Sequence, residues 1–192
     1  MYKVGVIGCG YWGPNLIRNF MQLSRSDVVR VADLDDARLR HMNGLYPKVK
    51  TTTDYRRIIK DPKIDVVAVA TPVHTHFKLA SEALSAKKHV FVEKPIAASV
   101  KEAEELVRLS DKYNRKLMVG HTFLYTEAVR KMKEIIDSGE LGEIYYINAQ
   151  RLNLGLFQQD INVIWDLAPH DISIILHLLG QQPKTVQTRW WG

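Results

Sequence analysis

Three groups of residues in this chain have types and spacings that could do chemistry. The first lies at the start, where the apolar run from Lys3 to Ile7 leads into Gly8-x-Gly10-x-x-Gly13, and Asp33 follows twenty positions after the last glycine. Gly8 permits a tight turn out of a strand, and Gly10 lets the backbone approach a pyrophosphate. Gly13 lets the next helix pack on the strand, with that helix's N–H groups and dipole facing the anion. Asp33 closes a second apolar run, Val28 to Ala32, and can accept hydrogen bonds from both hydroxyls of an adenosine ribose. A 2′-phosphate would meet a like charge there, which favours NAD over NADP. Three glycines alone could be a plain strand-turn-helix. Strand, glycines, helix and acid in register point to a dinucleotide site in which Gly8, Gly10, Tyr11, Trp12, Gly13 and Asp33 take part.

The second group is Glu93-Lys94-Pro95. A lysine held by a proline at a strand end can aim its ammonium group at a substrate oxygen; the bland alternative is a polar turn with a solvated lysine. The Lys94–Pro95 bond could be cis. The third is Asp166-x-x-x-His170, whose spacing puts both side chains on one helix face. Histidine titrates near neutral pH and suits base catalysis. The plainer roles are an N-cap for Asp166 and a buried imidazole for His170. Pro169 between them fits a helix only in its first turn. His74, His76 and His121 have no zinc spacing and no cysteine near them, so no metal is expected. Cys9, the one cysteine, sits in the glycine loop as a small residue and fits a reducing compartment, with the cytoplasm as default.

These residues need a scaffold that gathers strand ends. Strands are expected at the N-terminus and at residues 28–32, 49–52, 66–70, 90–92 and 116–120. Helices are expected from Pro14, over 35–45, after an N-cap at Asp54, over 76–86, and from the N-cap Ser99 to near Tyr113. Such alternation predicts an α/β domain, a doubly wound parallel sheet with helices on both faces. Ligands then bind beyond the carboxyl ends of the strands. Thr71, Pro72 and His76 follow the fourth strand, Glu93 and Lys94 the fifth, and His121 to Tyr125 the sixth. After residue 121 the pattern changes: a helix over 127–138, a strand-like stretch over 143–154, a helix over about 167–179 stopped by Gly180, and a strand over 184–191. Residues 1–121 are thus expected as a dinucleotide-binding domain and 122–192 as a second, incomplete α+β open-sheet domain, a fragment or one completed by a partner's strands.

With 192 residues, 46% of them apolar and 25% charged, the chain can bury a core. It has no apolar run long enough to span a membrane, and its first residues already read as a strand rather than a signal peptide. The net charge of +6 is spread over Arg38-Leu-Arg40, Lys87-Lys88 and Arg130-Lys-Met-Lys133. These clusters interleave with acids and core positions, so solvated helix faces are expected rather than a nucleic-acid surface. A positive balance would still steer anionic small molecules.

Taken together, the glycine loop, Thr71-Pro72 with His76, Glu93-Lys94-Pro95 and Asp166-x-x-x-His170 resemble the Gfo/Idh/MocA oxidoreductases. The resemblance implies a Rossmann domain joined to an open-sheet α+β domain, NAD as cofactor, a sugar-like substrate and a homo-oligomeric parent. The stretch from Arg151 through Trp165 to Ser173 is similar to the branch acting on nucleotide-linked sugars, in particular 3-dehydrogenases of UDP-N-acetylglucosamine uronate and related compounds. Ser173 stands where many members have an aspartate.

By that resemblance, hydride leaves a sugar carbon, C3 of a UDP-linked amino sugar or its uronate, for the nicotinamide of NAD. Lys94, His170 and Asp166 are the implied catalytic set: His170 takes the hydroxyl proton, Lys94 stabilises the oxyanion, and Asp166 orients them. Lys94 is itself a possible proton acceptor. Thr71, Pro72, His76, Glu93 and Lys94 are implied along the nicotinamide half of the cofactor. Tyr125, Arg151 and Asn153 join Lys94, Asp166 and His170 as implied substrate contacts, Arg151 as a fork for a uronate or phosphate. The alternatives are a dehydrogenase of free sugars or inositols, or a dinucleotide-binding module without catalysis.

Overall fold

The structure, a computed structural model, describes residues 1–152 and 162–189. It divides into two compact units, Met1–Gly120 and a second beginning at His121. Asn153 and the terminal Trp190-Trp191 pair lie outside the described residues.

The first unit is a parallel sheet of β1 (Tyr2–Ile7), β2 (Ser26–Ala32), β3 (Lys50–Thr52), β4 (Val66–Val69), β5 (His89–Val92) and β6 (Leu117–Val119), in the order β3-β2-β1-β4-β5-β6. Strand order reverses beside β1, and such a switch point opens a crevice at the carboxyl ends of the strands. Register fills that crevice. Ile7 pairs with Ala32 on one side and Val69 on the other, so Gly8, Asp33 and Ala70 emerge at the same level.

Five helices cover the sheet: α1 (Gly13–Gln22), α2 (Asp36–Leu45), α3 (Arg56–Ile59), α4 (Val73–Ser85) and α5 (Val100–Lys112). The central strands read as continuous apolar runs because both faces are buried. Along β4, Val67 and Val69 join Leu79, Leu84, Val90 and Leu106 in one cluster. Ala68 between them joins Val4, Ile17, Val31 and Met42 in another. Caps set the helix starts. The Asp35 carboxylate accepts from the Ala37 and Arg38 N–H groups, and Ser99 accepts from Glu102 while Glu102 reaches back to the Ala98 N–H.

Two starts differ from expectation. Helix α4 begins at Val73, three residues before His76, because Pro72 ends the loop and Val73 is already buried. Asp54 caps α3 from one residue further out, its carboxylate accepting from the Arg56 N–H while Tyr55 occupies the N-cap position.

The second unit contains a 3-10 turn at Thr122–Tyr125, α6 (Glu127–Asp137) and α7 (Val163–Leu179). Helix α7 starts one turn before the expected position. Asn162 is its N-cap and accepts from the Trp165 N–H at 2.9 Å. Asp166 is therefore not the cap but the fourth helical residue, and Pro169 lies inside the helix rather than in its first turn. The apolar Val163 and Ile164 already belong to the helix, and the proline forgoes one ladder bond. The strand expected over 143–154 is not formed across 143–152, nor is the one expected over 184–191 across 184–189. A strand is defined by its ladder, and no partner strand stands beside either segment among the described residues. Tyr145 and Tyr146 are accordingly exposed.

Candidate functional site

The glycine loop has the close contacts its sequence demands. Gly8 has φ +97°, which only glycine adopts freely, and a Cβ there would strike the Ala70 carbonyl. A Cβ on Gly13 would strike the Gly8 carbonyl, so helix and strand touch backbone to backbone. Gly10 faces open space: its sequence neighbours aside, the one described atom within 4 Å of its Cβ position is the Arg38 Nη1, at 3.6 Å. Trp12 gives α1 no side-chain cap, and no acid lies in the first turn. The leading N–H groups and the positive end of the helix dipole are thus left for an anion. Tyr11 and Trp12 are exposed at this mouth and meet edge to face.

Asp33 closes the far side. Its Oδ2 accepts from the Cys9 N–H at 2.6 Å and its Oδ1 from the Asp35 N–H at 2.9 Å. Each oxygen keeps a second lone-pair position for a ribose hydroxyl. The Cys9 thiol behind it is pushed up to about 12, first by burial and then by the Asp33 charge, with Arg38 opposing.

The loops after β4 and β5 are tied together. His76 is fully buried, with Nε2 2.8 Å from the Thr71 carbonyl oxygen and Nδ1 2.9 Å from that of Pro95. Thr71 Oγ1 and Thr75 Oγ1 are 2.6 Å apart. Both facing groups are acceptors, so a neutral ring donates to one of these carbonyls and packs against the other, standing between the Thr71–Pro72 and Lys94–Pro95 loops. Lys94 is half-buried and its bond to Pro95 is cis. Glu93 is buried against Gly120, where a Cβ would come within 2.9 Å of the carboxylate. Its Oε1 has no hydrogen-bond partner among the described residues. Burial pushes its carboxyl up, partly offset by a backbone hydrogen bond and the positive charge of Lys94. A glycine cradle, an uncapped helix end, an acid at the end of β2 and a buried carboxylate oxygen with no hydrogen-bond partner among the described residues together fit a dinucleotide.

In the second unit, His170 and Asp166 stand one turn apart on α7. The His170 ring meets Phe123 edge to face at 4.7 Å, and the Arg151 guanidinium lies 5.1 Å from the centre of the same Phe123 ring. The Arg151 fork is already engaged: Nε and Nη2 donate to Asp171 Oδ2 and Oδ1 at 3.0 and 2.6 Å. That hydrogen bonding holds the Asp171 carboxyl below its usual range. Tyr125 is exposed at the end of the 3-10 turn, and burial lowers the pKa of His121, favouring neutral imidazole. Among the described residues no three His, Cys, Asp or Glu side chains converge as metal ligands, and no helix is long and apolar enough to cross a membrane.

Sequence reasoning missed Arg38, Phe123 and Asp171. Arg38 had a readable signal, lying five residues after Asp33 on the helix that Asp35 caps. Asp171 had none, because its partner is twenty residues away. An open depression of about 380 Å³ lined by Asp36, Arg40, Thr52, Asp54 and Arg57 contains none of the expected site residues.

Comparison with known proteins gives two family matches. The GFO_IDH_MocA model, an oxidoreductase family with an NAD-binding Rossmann fold, matches residues 2–121, and the GFO/IDH/MocA C-terminal domain matches residues 129–190. Among curated relatives, the inositol 2-dehydrogenase of Salmonella typhimurium (strain LT2) is 27% identical over 190 residues, covering 96% of this chain and 56% of its own length. Two solved structures share the fold. GenD2 from gentamicin A biosynthesis, in complex with NAD, has a TM-score of 0.84 at 22% identity, covering 93% of this chain and 54% of its own. The WlbA dehydrogenase from Bordetella pertussis, in complex with NADH and UDP-GlcNAcA, has a TM-score of 0.70 at 24% identity, covering 75% and 42%. The chain spans about half the length of the curated relatives it matches.

Proposed function

Because this chain belongs to the Gfo/Idh/MocA oxidoreductases, whose first domain binds NAD, we propose that it serves NAD-dependent oxidation of a ring hydroxyl on a sugar or inositol. The observation that carries the reading is Lys94, half-buried beside the buried Glu93 at the carboxyl end of β5 in an NAD-binding sheet. When bound, the cofactor supplies the hydride acceptor. The hydroxyl proton must leave as hydride departs, so a base within hydrogen-bond reach is needed. In this reading His170 takes that proton, Lys94 stabilises the developing oxyanion and Asp166 orients them; Lys94 as the base is the variant of the same chemistry.

Within that class, the stretch from Arg151 to Ser173 supports a UDP-linked amino sugar or its uronate, oxidised at C3. A free inositol is the second reading, supported by the curated inositol dehydrogenases among the relatives. The test is NAD reduction by the protein carrying this sequence, with UDP-N-acetylglucosamine uronate and with myo-inositol. Turnover at least about tenfold faster with one class selects it. Lys94→Ala should lower turnover by about two orders of magnitude or more while leaving NADH affinity nearly intact. An unchanged turnover would remove Lys94 from the mechanism, and NADH binding without turnover of either substrate would leave a dinucleotide-binding module.

A further inference from the structure

A run of contacts leads from the His170 ring back to its own helix. The ring meets Phe123 with the centres 4.7 Å apart and the planes at 78°, within the range where edge-to-face pairs attract. The Arg151 guanidinium lies over the same Phe123 ring at 5.1 Å, inside cation–π reach. Arg151 in turn donates twice to Asp171, the residue that follows His170 on α7. All four belong to the second unit. The backbone at both rings is tied down as well. The Phe123 carbonyl accepts from the Thr126 N–H at 3.1 Å and from the Thr126 hydroxyl at 2.8 Å, which fixes the end of the 3-10 turn. The His170 carbonyl accepts from the Ser173 hydroxyl at 2.8 Å. Helix α7 alone holds this turn less firmly, because Pro169, just before His170, donates no ladder bond.

We propose that Phe123 is a positioning residue, which fixes the plane of the His170 imidazole and is itself fixed by the Arg151–Asp171 pair. The inference rests on the reading in which His170 takes the hydroxyl proton. A base must present its nitrogen at hydrogen-bond distance and at a defined angle, so an imidazole that turns freely is misaligned for part of the time. Phe123 carries no group that exchanges a proton, so it acts on the reaction through the ring it holds. In this arrangement Arg151 spends its fork as an anchor.

The experiment follows NAD reduction by the protein carrying this sequence, with UDP-N-acetylglucosamine uronate and with myo-inositol, in wild type, Phe123→Leu, Phe123→Tyr, Asp171→Asn and His170→Gln. Phe123→Leu keeps an apolar side chain and removes the ring. It should lower kcat by about tenfold to a hundredfold, the range of a misplaced catalytic group, and leave KM and NADH affinity nearly unchanged. Phe123→Tyr keeps the ring, and the side chain is 37% exposed, so most of the lost turnover should return. Asp171→Asn loosens the anchor and should lower kcat by a smaller factor. Combined with Phe123→Leu it should add nothing, because both act through one ring. With isotope-labelled histidine, the His170 ring signal, identified by its loss in His170→Gln, should move in Phe123→Leu.

An unchanged kcat in Phe123→Leu, an effect confined to KM, or an unmoved His170 signal would overturn the proposal. A confined KM effect would mean that Phe123 touches the substrate instead. Additive losses in the double variant would overturn the anchoring by Asp171. Full turnover in His170→Gln is a separate result: it would remove His170 as the base, and this proposal with it. Loss of turnover in His170→Gln beside full turnover in Phe123→Leu would overturn this proposal alone. A wild type that oxidises neither substrate would overturn both.

Discussion

His76 Nδ1 lies 2.9 Å from the carbonyl oxygen of Pro95, nineteen residues further along the chain. Its other ring nitrogen lies 2.8 Å from the carbonyl oxygen of Thr71. One buried imidazole thus clips the loop after β4 to the loop carrying Lys94. His76→Ala should cost about 2–4 kcal/mol of stability by leaving a cavity and an unpaired carbonyl, and should weaken NADH binding as the two loops part. Urea unfolding together with NADH titration checks both effects. A variant unchanged in each would show that the ring clips nothing.

Glu93 supplies a pH signature. Burial raises its folded-state pKa above the ordinary 4.5. A raised carboxyl binds its proton more tightly in the folded state, so its contribution is full below the unfolded pKa and is lost as pH rises through the folded value. Wild-type stability relative to Glu93→Gln should therefore fall as pH is raised above about 4.5. Denaturant midpoints of both proteins, measured side by side across that window, isolate the effect. A constant difference would mean that Glu93 is not destabilised by burial.

Cys9 should be inert in the folded chain. With its thiol at about 12, the thiolate is scarce near neutral pH, and the sulfur is buried. Alkylation by iodoacetamide at pH 8 is expected to be at least about a hundredfold slower in the native protein than in urea. Mass spectrometry of timed samples gives the two rates, and comparable rates would contradict the burial.

Asp171 works with the opposite sign to Glu93. Its carboxyl is held below the ordinary 3.8, chiefly by hydrogen bonds from Arg151. A depressed carboxyl contributes stability above its unfolded pKa and loses it as pH falls through the folded value. The two side chains are about a quarter exposed, which screens the pair. Asp171→Asn should then cost roughly 1–2 kcal/mol at neutral pH. The difference from wild type should close as the solution is taken below pH 3.8, where thermal melts would show it. A deficit persisting there would point to packing instead of the ion pair.

How much was legible beforehand depended on the range of the forces involved. Gly8, Gly13, Asp35 and Ser99 act on backbone atoms within a few residues, and the apolar runs of β1 and β4 report that both sheet faces are covered. The strands, the glycine turn and most helix starts of the first unit could therefore be read directly, the starts of α3 and α4 being the exceptions. The segment around Tyr145 and Tyr146 misled for the complementary reason. Strand residues express their preference only against a partner ladder, and no partner strand is present among the described residues. At α7 the cap is Asn162 rather than Asp166 four residues on, its side chain accepting from the Trp165 N–H.

The sequence by itself determined the dinucleotide loop, the acid at the end of β2, the alternation that builds the parallel sheet, and the presence of Lys94 and His170. Each is local, governed by steric limits on the backbone, by helix capping or by the period of side-chain burial. Only the tertiary structure decided that His76 joins two loops, that Glu93 is pressed against Gly120, that Arg38 stands over Gly10 beside Asp33, and that Arg151 is engaged by Asp171. Those pairings lie across loops, helices and strand ends. Their partners are selected by the closing of the sheet and the packing of helices on it, which no local pattern records.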